Sequence, residues 1–334
     1  MITNLQIRNF RGFKDVSLKE LRRINLLVGG NDTGKTSVLE AIILLLGRGD
    51  QVMELPITFR NNQNGGQPGG ELDDRENFWP WLFYNRDWVN QIEITAVSED
   101  GSRLIVKSKP VENLTLWRQP REGREERIMS LVPGSLDVPA NPSPKDFHVS
   151  RLSVRPSHPV QDAEKYNQIA LESQGEARFE GIMREVEPRL KRLRYARLPG
   201  TNSPLVFVDI GLSRAVPSTQ MGQAFNRILH IYAEILTSKT NVLLIDEIEN
   251  GIFSESLPLI WKGLFAVCEQ QNVQIFATTH SRECVMAAYA AAHERGKDEL
   301  SVQRLQIVKG NIEAVRMGAE HLEVASEMGL EVRS

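Results

Sequence analysis

Cysteine is scarce in this sequence, which has only Cys268 and Cys284. Two thiols cannot form a disulfide framework, and they cannot supply the four ligands of a structural zinc site. The simplest interpretation is that both are reduced thiols in the core of a cytoplasmic protein. This scarcity excludes the class of small disulfide-rich secreted proteins.

Long hydrophobic runs and an excess of positive charge are also missing. The longest apolar run, AIILLL at 41–46, is far shorter than the roughly 18 residues that a membrane span requires. The N-terminal MITNLQIRNFRGF lacks the apolar core of a signal peptide. The net charge is −3, so any binding to nucleic acid must rest on a local patch. We therefore expect no membrane partner.

The chain begins with the order strand, glycine-rich loop, helix. INLLVGG at 24–30 is a short apolar strand ending in glycines, and TSVLEAIILLLG is typical of a buried helix. Between them, GGNDTGKT at 29–36 fits the pattern G-x-x-x-x-G-K-[ST] in the context that this motif demands. The alternative is a chance glycine-rich turn. The motif predicts ATP contacts from Gly29, Asn31, Asp32, Thr33, Gly34, Lys35, Thr36 and Ser37.

The chemistry of the phosphate loop assigns roles to two of these residues. Glycines let backbone N–H groups converge on phosphate oxygens, and the helix N-terminus adds its positive dipole end. Lys35 would reach the β- and γ-phosphates, as a catalytic contact, and Thr36 would hold Mg²⁺ through its hydroxyl.

A second apolar strand, VLLI at 242–245, ends in two carboxylates, Asp246 and Glu247. Ligands of open α/β sheets bind at the carboxyl ends of the strands. Asp246 would therefore hold Mg²⁺, and Glu247 would polarise the attacking water. The alternative is a solvated strand end. A third strand, QIFATT at 274–279, leads to His280, which is a candidate γ-phosphate sensor or a mere capping residue.

The stretch VPSTQMGQAFNRIL at 216–229 predicts a helix start with Gly222 in its first turn. Glycine there lowers helix propensity by roughly 1 kcal/mol relative to alanine, so it needs a reason. The middle of the chain predicts a β-hairpin over 91–108 with a turn at Asp100-Gly101, after a polar loop at 61–74. Residues 130–159 are proline-rich and predict an irregular connection.

The motifs in this order resemble the ABC-type ATPases, specifically their RecF/SMC/OLD-like branch and its compact bacterial OLD-like AAA ATPases. IRNFRGFKDVSL is similar to that branch's opening hairpin, LIDEIENGIF to its Walker B and D-loop, and FATTHS to its switch-histidine segment. The resemblance covers about 1–50 and 185–334. It implies an α/β fold of the P-loop NTPase, ABC/SMC-head type: a mixed, mostly parallel sheet with helices on both faces, plus an antiparallel β-lobe.

The resemblance implies one ATPase head over 1–334, with a P-loop portion at 1–50, an inserted β-lobe at 60–160, and the signature, Walker B and switch segments at 161–334. It also implies that Arg11 approaches the nucleotide. Two heads would sandwich two ATP molecules as a homodimer or higher oligomer, with Gly222 facing the partner's γ-phosphate. MGQAFNR stands at the family's L-S-G-G-Q-x-R, with Ala224 at a usual glycine, and Phe253 stands at a usual D-loop histidine or aspartate.

Three functional hypotheses follow from this resemblance. The first is an Mg²⁺-dependent ATPase switch that controls a separately encoded effector, plausibly a Toprim-like nuclease, in bacterial defence or DNA maintenance. The second is an ATP-binding scaffold with negligible hydrolysis, which Ala224 and Phe253 favour. The third is a RecF-like DNA-repair clamp, for which the basic run Arg189, Lys191, Arg192, Arg194 and Arg197 would contact nucleic acid. That run is otherwise a solvated face.

An aromatic cluster is the last open feature, and it predicts core or interface packing or base stacking. Its members are Trp79, Trp81, Phe83, Tyr84 and Trp88. No Q-loop glutamine can be assigned, because neither Gln51 nor Gln63 has a convincing context.

Overall fold

The computed structural model describes residues 1–48, 51–52, 55, 79–87, 89–110, 114–119, 125–132, 135–137, 147–152, 158–197, 200–237 and 240–318. The helices are α1 (Lys35–Leu46), α2 (Pro159–Leu171), α3 (Gly175–Val186), α4 (Gln223–Thr237), α5 (Leu257–Gln271) and α6 (Arg282–Arg295). The polar loop 61–74, Gln63, Trp88 and the closing AEHLEVASEMGL lie outside the described residues.

The strands fall into three sheets. The first eight are β1 (Ile2–Phe10), β2 (Phe13–Leu18), β3 (Ile24–Val28), β4 (Glu93–Ser98), β5 (Arg103–Pro110), β6 (Leu114–Gln119), β7 (Glu126–Val132) and β8 (Ser135–Asp137). The others are β9 (Val149–Leu152), β10 (Arg192–Arg197), β11 (Pro204–Asp209), β12 (Val216–Pro217), β13 (Val242–Ile245), β14 (Gln274–Thr278), β15 (Leu300–Val308) and β16 (Asn311–Met317).

The central sheet has the order β16-β15-β3-β14-β13-β9. Its strands pair in parallel except β16, which forms an antiparallel hairpin with β15. The apolar runs of β3, β13 and β14 are buried on both faces, as expected of parallel strands covered on both sides. The parallel arrangement brings the carboxyl ends of β3, β13 and β14 to one edge of the sheet.

Alternate residues of the central sheet face two separate hydrophobic cores. Leu244 and Phe276 pack in the core that contains α1 and the strands of the antiparallel sheet. Leu243 and Ile275 pack in the other core, with α2 to α6. Every residue of α1 except Thr36 is buried, because this helix lies between the two larger sheets. The predicted α/β fold with helices on both faces and an antiparallel lobe is confirmed.

The antiparallel sheet joins two of the predicted portions of the chain. Its order is β2-β1-β4-β5-β6-β7-β8, so the opening hairpin, which falls in the predicted P-loop portion at 1–50, pairs with the strands of the β-lobe. Conversely, β9 falls within the predicted lobe at 60–160 but pairs in parallel with β13. Both pairings join segments that are distant in sequence, and local patterns do not report them.

The helical side also corrects the position of Gly222. A 3₁₀ turn occupies Ser218–Gln220, and α4 begins at Gln223, so Gly222 lies immediately before the helix instead of inside its first turn. The N–H of Asn226 donates to the Gly222 carbonyl (3.3 Å), which makes Gly222 the N-cap residue. Glycine is tolerated well at this position.

No helix among the described residues is long and apolar enough to cross a membrane.

Candidate functional site

The phosphate loop joins β3 to α1, and two of its glycines have no room for a side chain. Gly29 has φ +142°, and a Cβ on it would lie 2.3 Å from the Leu305 carbonyl oxygen. Gly34 has φ +89°, and its Cβ would lie 2.6 Å from the Phe13 ring. Backbone of this kind is open to glycine and strained for other residues. The spacing of glycines in the motif therefore has a direct steric cause.

Lys35 is held inside this loop. Its Nζ donates to the carbonyl oxygens of Gly29 (3.0 Å) and Gly30 (2.7 Å), and Thr33 Oγ1 donates to Gly30 as well (2.9 Å). Burial lowers the pKa of Lys35, and the nearby carboxylates of Asp246 and Glu247 oppose that shift. A phosphate group would offer this ammonium better acceptors than two carbonyls.

The loop and the acidic strand end meet through a chain of hydroxyl contacts. Thr36 Oγ1 donates to Asp246 Oδ1 (3.4 Å), and Thr278 Oγ1 donates to the same oxygen (2.6 Å). The N–H of Glu247 donates in turn to Thr278 Oγ1 (2.8 Å). These contacts bring β3, β13 and β14 together at their carboxyl ends, where open α/β sheets bind ligands.

Asp246 is buried, and burial raises its pKa while hydrogen bonds from Thr278 and Thr36 lower it. A Thr hydroxyl beside a carboxylate is an oxygen donor set that suits Mg²⁺, which takes one or two protein ligands and completes its shell with water and phosphate. Among the described residues, no group of three or more His, Cys, Asp or Glu side chains could hold a metal alone. Thr36 and Asp246 thus fit Mg²⁺ bound together with a nucleotide.

Glu247 has an unusual backbone. Its φ is +47°, a left-handed conformation that residues other than glycine seldom adopt. Its N–H is held by Thr278, and its carbonyl accepts from the Arg227 guanidinium of α4 (3.3 Å), which also donates to the Asp246 carbonyl (2.9 Å). Strained backbone held by its surroundings is frequent at functional sites. The backbone of Glu247, a half-buried residue, is thus held at both its N–H and its carbonyl.

His280 follows β14 at the same edge of the sheet. Its N–H donates to Glu249 Oε1 (2.7 Å), and the imidazole is half-buried. The N-cap of α6 comes directly afterwards, where Ser281 Oγ accepts from the N–H of Cys284 (3.0 Å). His280 therefore lies one residue from a helix N-terminus, beside the acidic strand end.

The remaining predicted nucleotide contacts are placed differently. Asn31 and Asp32 are exposed at the loop, whereas Ser37 is buried in α1. The guanidinium of Arg11 forms a buried, bidentate ion pair with Glu40 of α1 (2.9 and 3.1 Å) and donates to the Trp81 carbonyl (3.2 Å). Arg11 is thus bound to the helix that follows the loop, and a nucleotide contact from it stays a prediction.

Gly222 lies on an open surface. No described atom lies within 4 Å of a Cβ built on it, although Ala224, two residues on, is half-buried. The turn after Glu247 contacts the start of α4, because a Cβ on Gly251 would lie 3.1 Å from Gln223 Cβ. Beyond that turn, Phe253 is 76% exposed. This surface is next to the acidic strand end, and no described residue fills the space beside Gly222.

Two other open features are partly described. The Gln51 side chain donates to the Val149 carbonyl (2.8 Å), so it joins the segment after α1 to the edge strand β9. This bond gives no sign that Gln51 contacts a nucleotide. In the aromatic cluster, Phe83 is buried, while Trp81 is half exposed with the Arg86 guanidinium 4.4 Å from its ring centroid.

Sequence analysis missed three residues that join these parts: Thr278, Arg227 and Glu249. Thr278 carried a signal, since it is a polar residue at the end of an apolar strand. Arg227 falls on the final arginine of the signature pattern. Glu249, between Ile248 and Asn250, has no signal beyond its charge.

Comparison with known proteins agrees with this geometry. Residues 1–94 match the family model of an "AAA ATPase domain", and residues 131–285 match that of an "AAA domain, putative AbiEii toxin, Type IV TA system". An "ATP/GTP phosphatase" from Helicobacter pylori is 21% identical over 330 residues, covering 85% of this chain and 86% of the relative.

Two further similarities are more limited. A "DNA replication and repair protein RecF" from Nitrosococcus oceani is 51% identical over 55 residues, 16% of this chain and 15% of that protein. The crystal structure of an SMC head bound to the C-winged helix domain of ScpA has a TM-score of 0.60 at 13% identity, covering 96% of this chain and 98% of that one. At this identity the likeness concerns the fold.

Proposed function

We propose that this chain, an AAA ATPase of the ABC/SMC type, binds ATP with Mg²⁺ and hydrolyses it. The observation that carries the proposal is the hydrogen-bonded chain Thr36–Asp246–Thr278–Glu247, which joins the phosphate loop to the carboxylate of Asp246 and to the backbone N–H of Glu247. Burying a carboxylate costs free energy unless it is hydrogen-bonded or paired. Packing of the core alone therefore does not explain why Asp246 is buried at this place.

Each residue has a distinct role in this proposal. The loop N–H groups and Lys35 bind the β- and γ-phosphates, and the neighbouring N-terminus of α1 favours their negative charge. Glu247 accepts a hydrogen bond from the attacking water and orients it towards the γ-phosphate. His280 donates a hydrogen bond to the γ-phosphate. Thr278 keeps Glu247 in its strained conformation.

Mg²⁺ would be held by Thr36 and Asp246, where it supplies neutralisation of the phosphate charge. The protein's own contribution is to present two oxygen ligands within 3.4 Å of each other on rigid elements. Burial raises the pKa of Asp246, and the two hydroxyl donors, Thr278 and Thr36, oppose that shift.

The finer part of the proposal concerns assembly. Two copies would enclose ATP in the cytoplasm, with Gly222 at the N-terminus of α4 facing the partner's γ-phosphate, and the dimer would control a separate effector. The open space at Gly222 and the exposed Phe253 support this arrangement. The role of an effector, plausibly a Toprim-like nuclease in defence or DNA maintenance, rests on the resemblance alone.

Phosphate release by the purified protein tests hydrolysis. We expect Mg²⁺-dependent release from the wild type, and loss of about two orders of magnitude in kcat for Glu247→Gln, with ATP affinity retained. The ATP-bound variant should also accumulate as a dimer. An exposed control, Glu255→Gln, should behave as wild type. Normal turnover by Glu247→Gln would refute the role of Glu247, and ATP binding without release by the wild type would favour the scaffold hypothesis.

A RecF-like DNA clamp is the second candidate. Its supporting observations are the match to RecF and the exposed basic strand β10, whose Arg192, Arg194 and Arg197 face solvent. Two residues of the basic run are already paired, Arg189 with Glu187 (2.9 Å) and Arg192 with Glu176 (3.4 Å). DNA affinity that falls with salt and with loss of Arg194 and Arg197 would support it. No DNA binding at low salt would exclude it.

A further inference from the structure

Glu249 lies in the turn that follows the two acidic residues of β13. This turn is fixed to the neighbouring strand, because the N–H of Ile248 donates to the Thr278 carbonyl (3.1 Å). The turn closes on itself where the N–H of Ile252 donates to the Glu249 carbonyl (2.9 Å). The backbone of Glu249 is therefore held at a defined place beside the end of β14.

The side chain of Glu249 binds the segment that carries His280. Its Oε1 accepts from the backbone N–H groups of both His280 (2.7 Å) and Ser281 (3.1 Å). The other oxygen, Oε2, is buried and accepts no hydrogen bond from the described residues. One oxygen of one carboxylate thus fixes two successive N–H groups at the start of α6, where a negative charge is favourable.

The same turn contacts the segment that would face a second copy. Gly251 packs against Gln223, the first residue of α4, and α4 in turn sends Arg227 to the carbonyl oxygens of Asp246 and Glu247. The turn therefore lies between His280 and the N-terminus of α4. From this turn, the Glu249 side chain bonds the segment that carries His280.

We infer that Glu249 is a positioning residue for hydrolysis, which holds the backbone of His280 at a fixed place relative to Glu247. This inference rests on the proposed function. No described hydrogen bond joins Glu249 to the phosphate loop, where its charge is the last of the influences on the pKa of Lys35, so its main effect on the reaction runs through His280. Small misplacements of a contacting group are costly in catalysis, which gives the carboxylate a measurable role.

Substitutions that differ in reach and charge test this inference. Glu249→Ala should lower kcat by about tenfold or more, with an ATP dissociation constant within about threefold of wild type. Glu249→Gln keeps an oxygen at the same reach and should retain more activity than Glu249→Asp, which keeps the charge but is one methylene shorter. The opposite order would indicate a purely electrostatic effect and overturn the inference.

A double-mutant cycle with His280→Ala separates positioning from a general structural effect. If Glu249 acts through His280, Glu249→Ala should lower kcat no further in the His280→Ala background. Thermal melting checks that each variant folds, and Glu255→Ala, in the same segment, serves as the matched exposed control. Should Glu249→Ala fail to fold, the order of the Gln and Asp variants decides.

The outcomes separate this inference from the function on which it rests. Wild-type protein that binds ATP but releases no phosphate would overturn the proposed hydrolysis itself. Wild-type release combined with additive effects of the two substitutions, or with normal turnover by Glu249→Ala, would overturn the role of Glu249 alone.

Discussion

The phosphate-loop side and the Gly222 side of the molecule differ in how fully the described residues surround them. Around Lys35, the buried polar side chains are bonded within the chain: the ammonium donates to two carbonyls, and Thr36 donates to Asp246. Around Gly222, a Cβ would meet no described atom within 4 Å, and Phe253 is 76% exposed. The first side is held by hydrogen bonds among described residues, and the second is an open surface.

The comparison indicates that the phosphate loop must be rigid before a nucleotide binds. A phosphate cradle must be preorganised, since glycine conformations and buried charges cannot be assembled cheaply at the moment of binding. A surface that a second copy would complete can stay open until then. Substitutions at the two sides should therefore have separable effects, on ATP affinity at Lys35 and on assembly at Gly222.

The largest effect is expected on the phosphate-loop side, around Lys35. Lys35→Ala should weaken ATP binding by about a hundredfold, because the phosphates lose their buried ammonium partner. Equilibrium titration with a fluorescent ATP analogue measures this directly. The melting temperature should change little, because the substitution also removes a buried ammonium. Burial of that ammonium costs free energy in the folded state, as its lowered pKa shows. Lys14→Ala, at an exposed position of β2, is the control. Equal affinities in the two variants would remove Lys35 from the site.

The phosphate-loop side was largely predictable from sequence, because its backbone conformation and burial restrict which residues can stand there. The glycines at 29 and 34 are required by backbone conformation and steric contact, so their spacing in the chain records the loop itself. The apolar runs of β3, β13 and β14 are continuous because both faces are buried, which made the parallel sheet predictable. Asp246 and Glu247 stood out as charges directly after such a run.

Other features depend on contacts between distant segments, and local patterns cannot report them. β9 joins the central sheet only through pairing with β13, some ninety positions further along the chain. Glu249 resembles any solvated acid in a turn until the N–H groups of His280 and Ser281 are placed beside it. The ion pair between Arg11 and Glu40 likewise depends on how the opening hairpin packs on α1.

A smaller effect, on assembly alone, is expected on the Gly222 side. Gly222→Gln should leave ATP affinity within about twofold of wild type, since an N-cap substitution from glycine changes stability by only a few tenths of a kcal/mol. It should nevertheless weaken the ATP-dependent dimer by about tenfold or more, because the added side chain fills the space meant for a partner's phosphate.

Sedimentation of both proteins with ATP, in a Glu247→Gln background that prevents turnover, measures this dimer. Gly181→Gln is a matched control, because Gly181 also has no described atom within 4 Å of a Cβ and lies on the exposed face of α3. A dimer unaffected by Gly222→Gln would remove this surface from the interface and leave the comparison between the two sides without functional content.

The smallest effect is expected at Ala224, the half-buried second residue of α4. If its methyl group crowds the approach of the partner's phosphate, Ala224→Gly should raise phosphate release by about two- to fivefold, although glycine costs roughly 1 kcal/mol of helix stability. Ala290→Gly, at an exposed position of α6, carries the same helix cost away from this surface. A steady-state phosphate assay compares the two variants. Faster release by Ala224→Gly alone would locate the limit on turnover at the open side, whereas equal loss in both would show that closure there is already tight enough for the reaction.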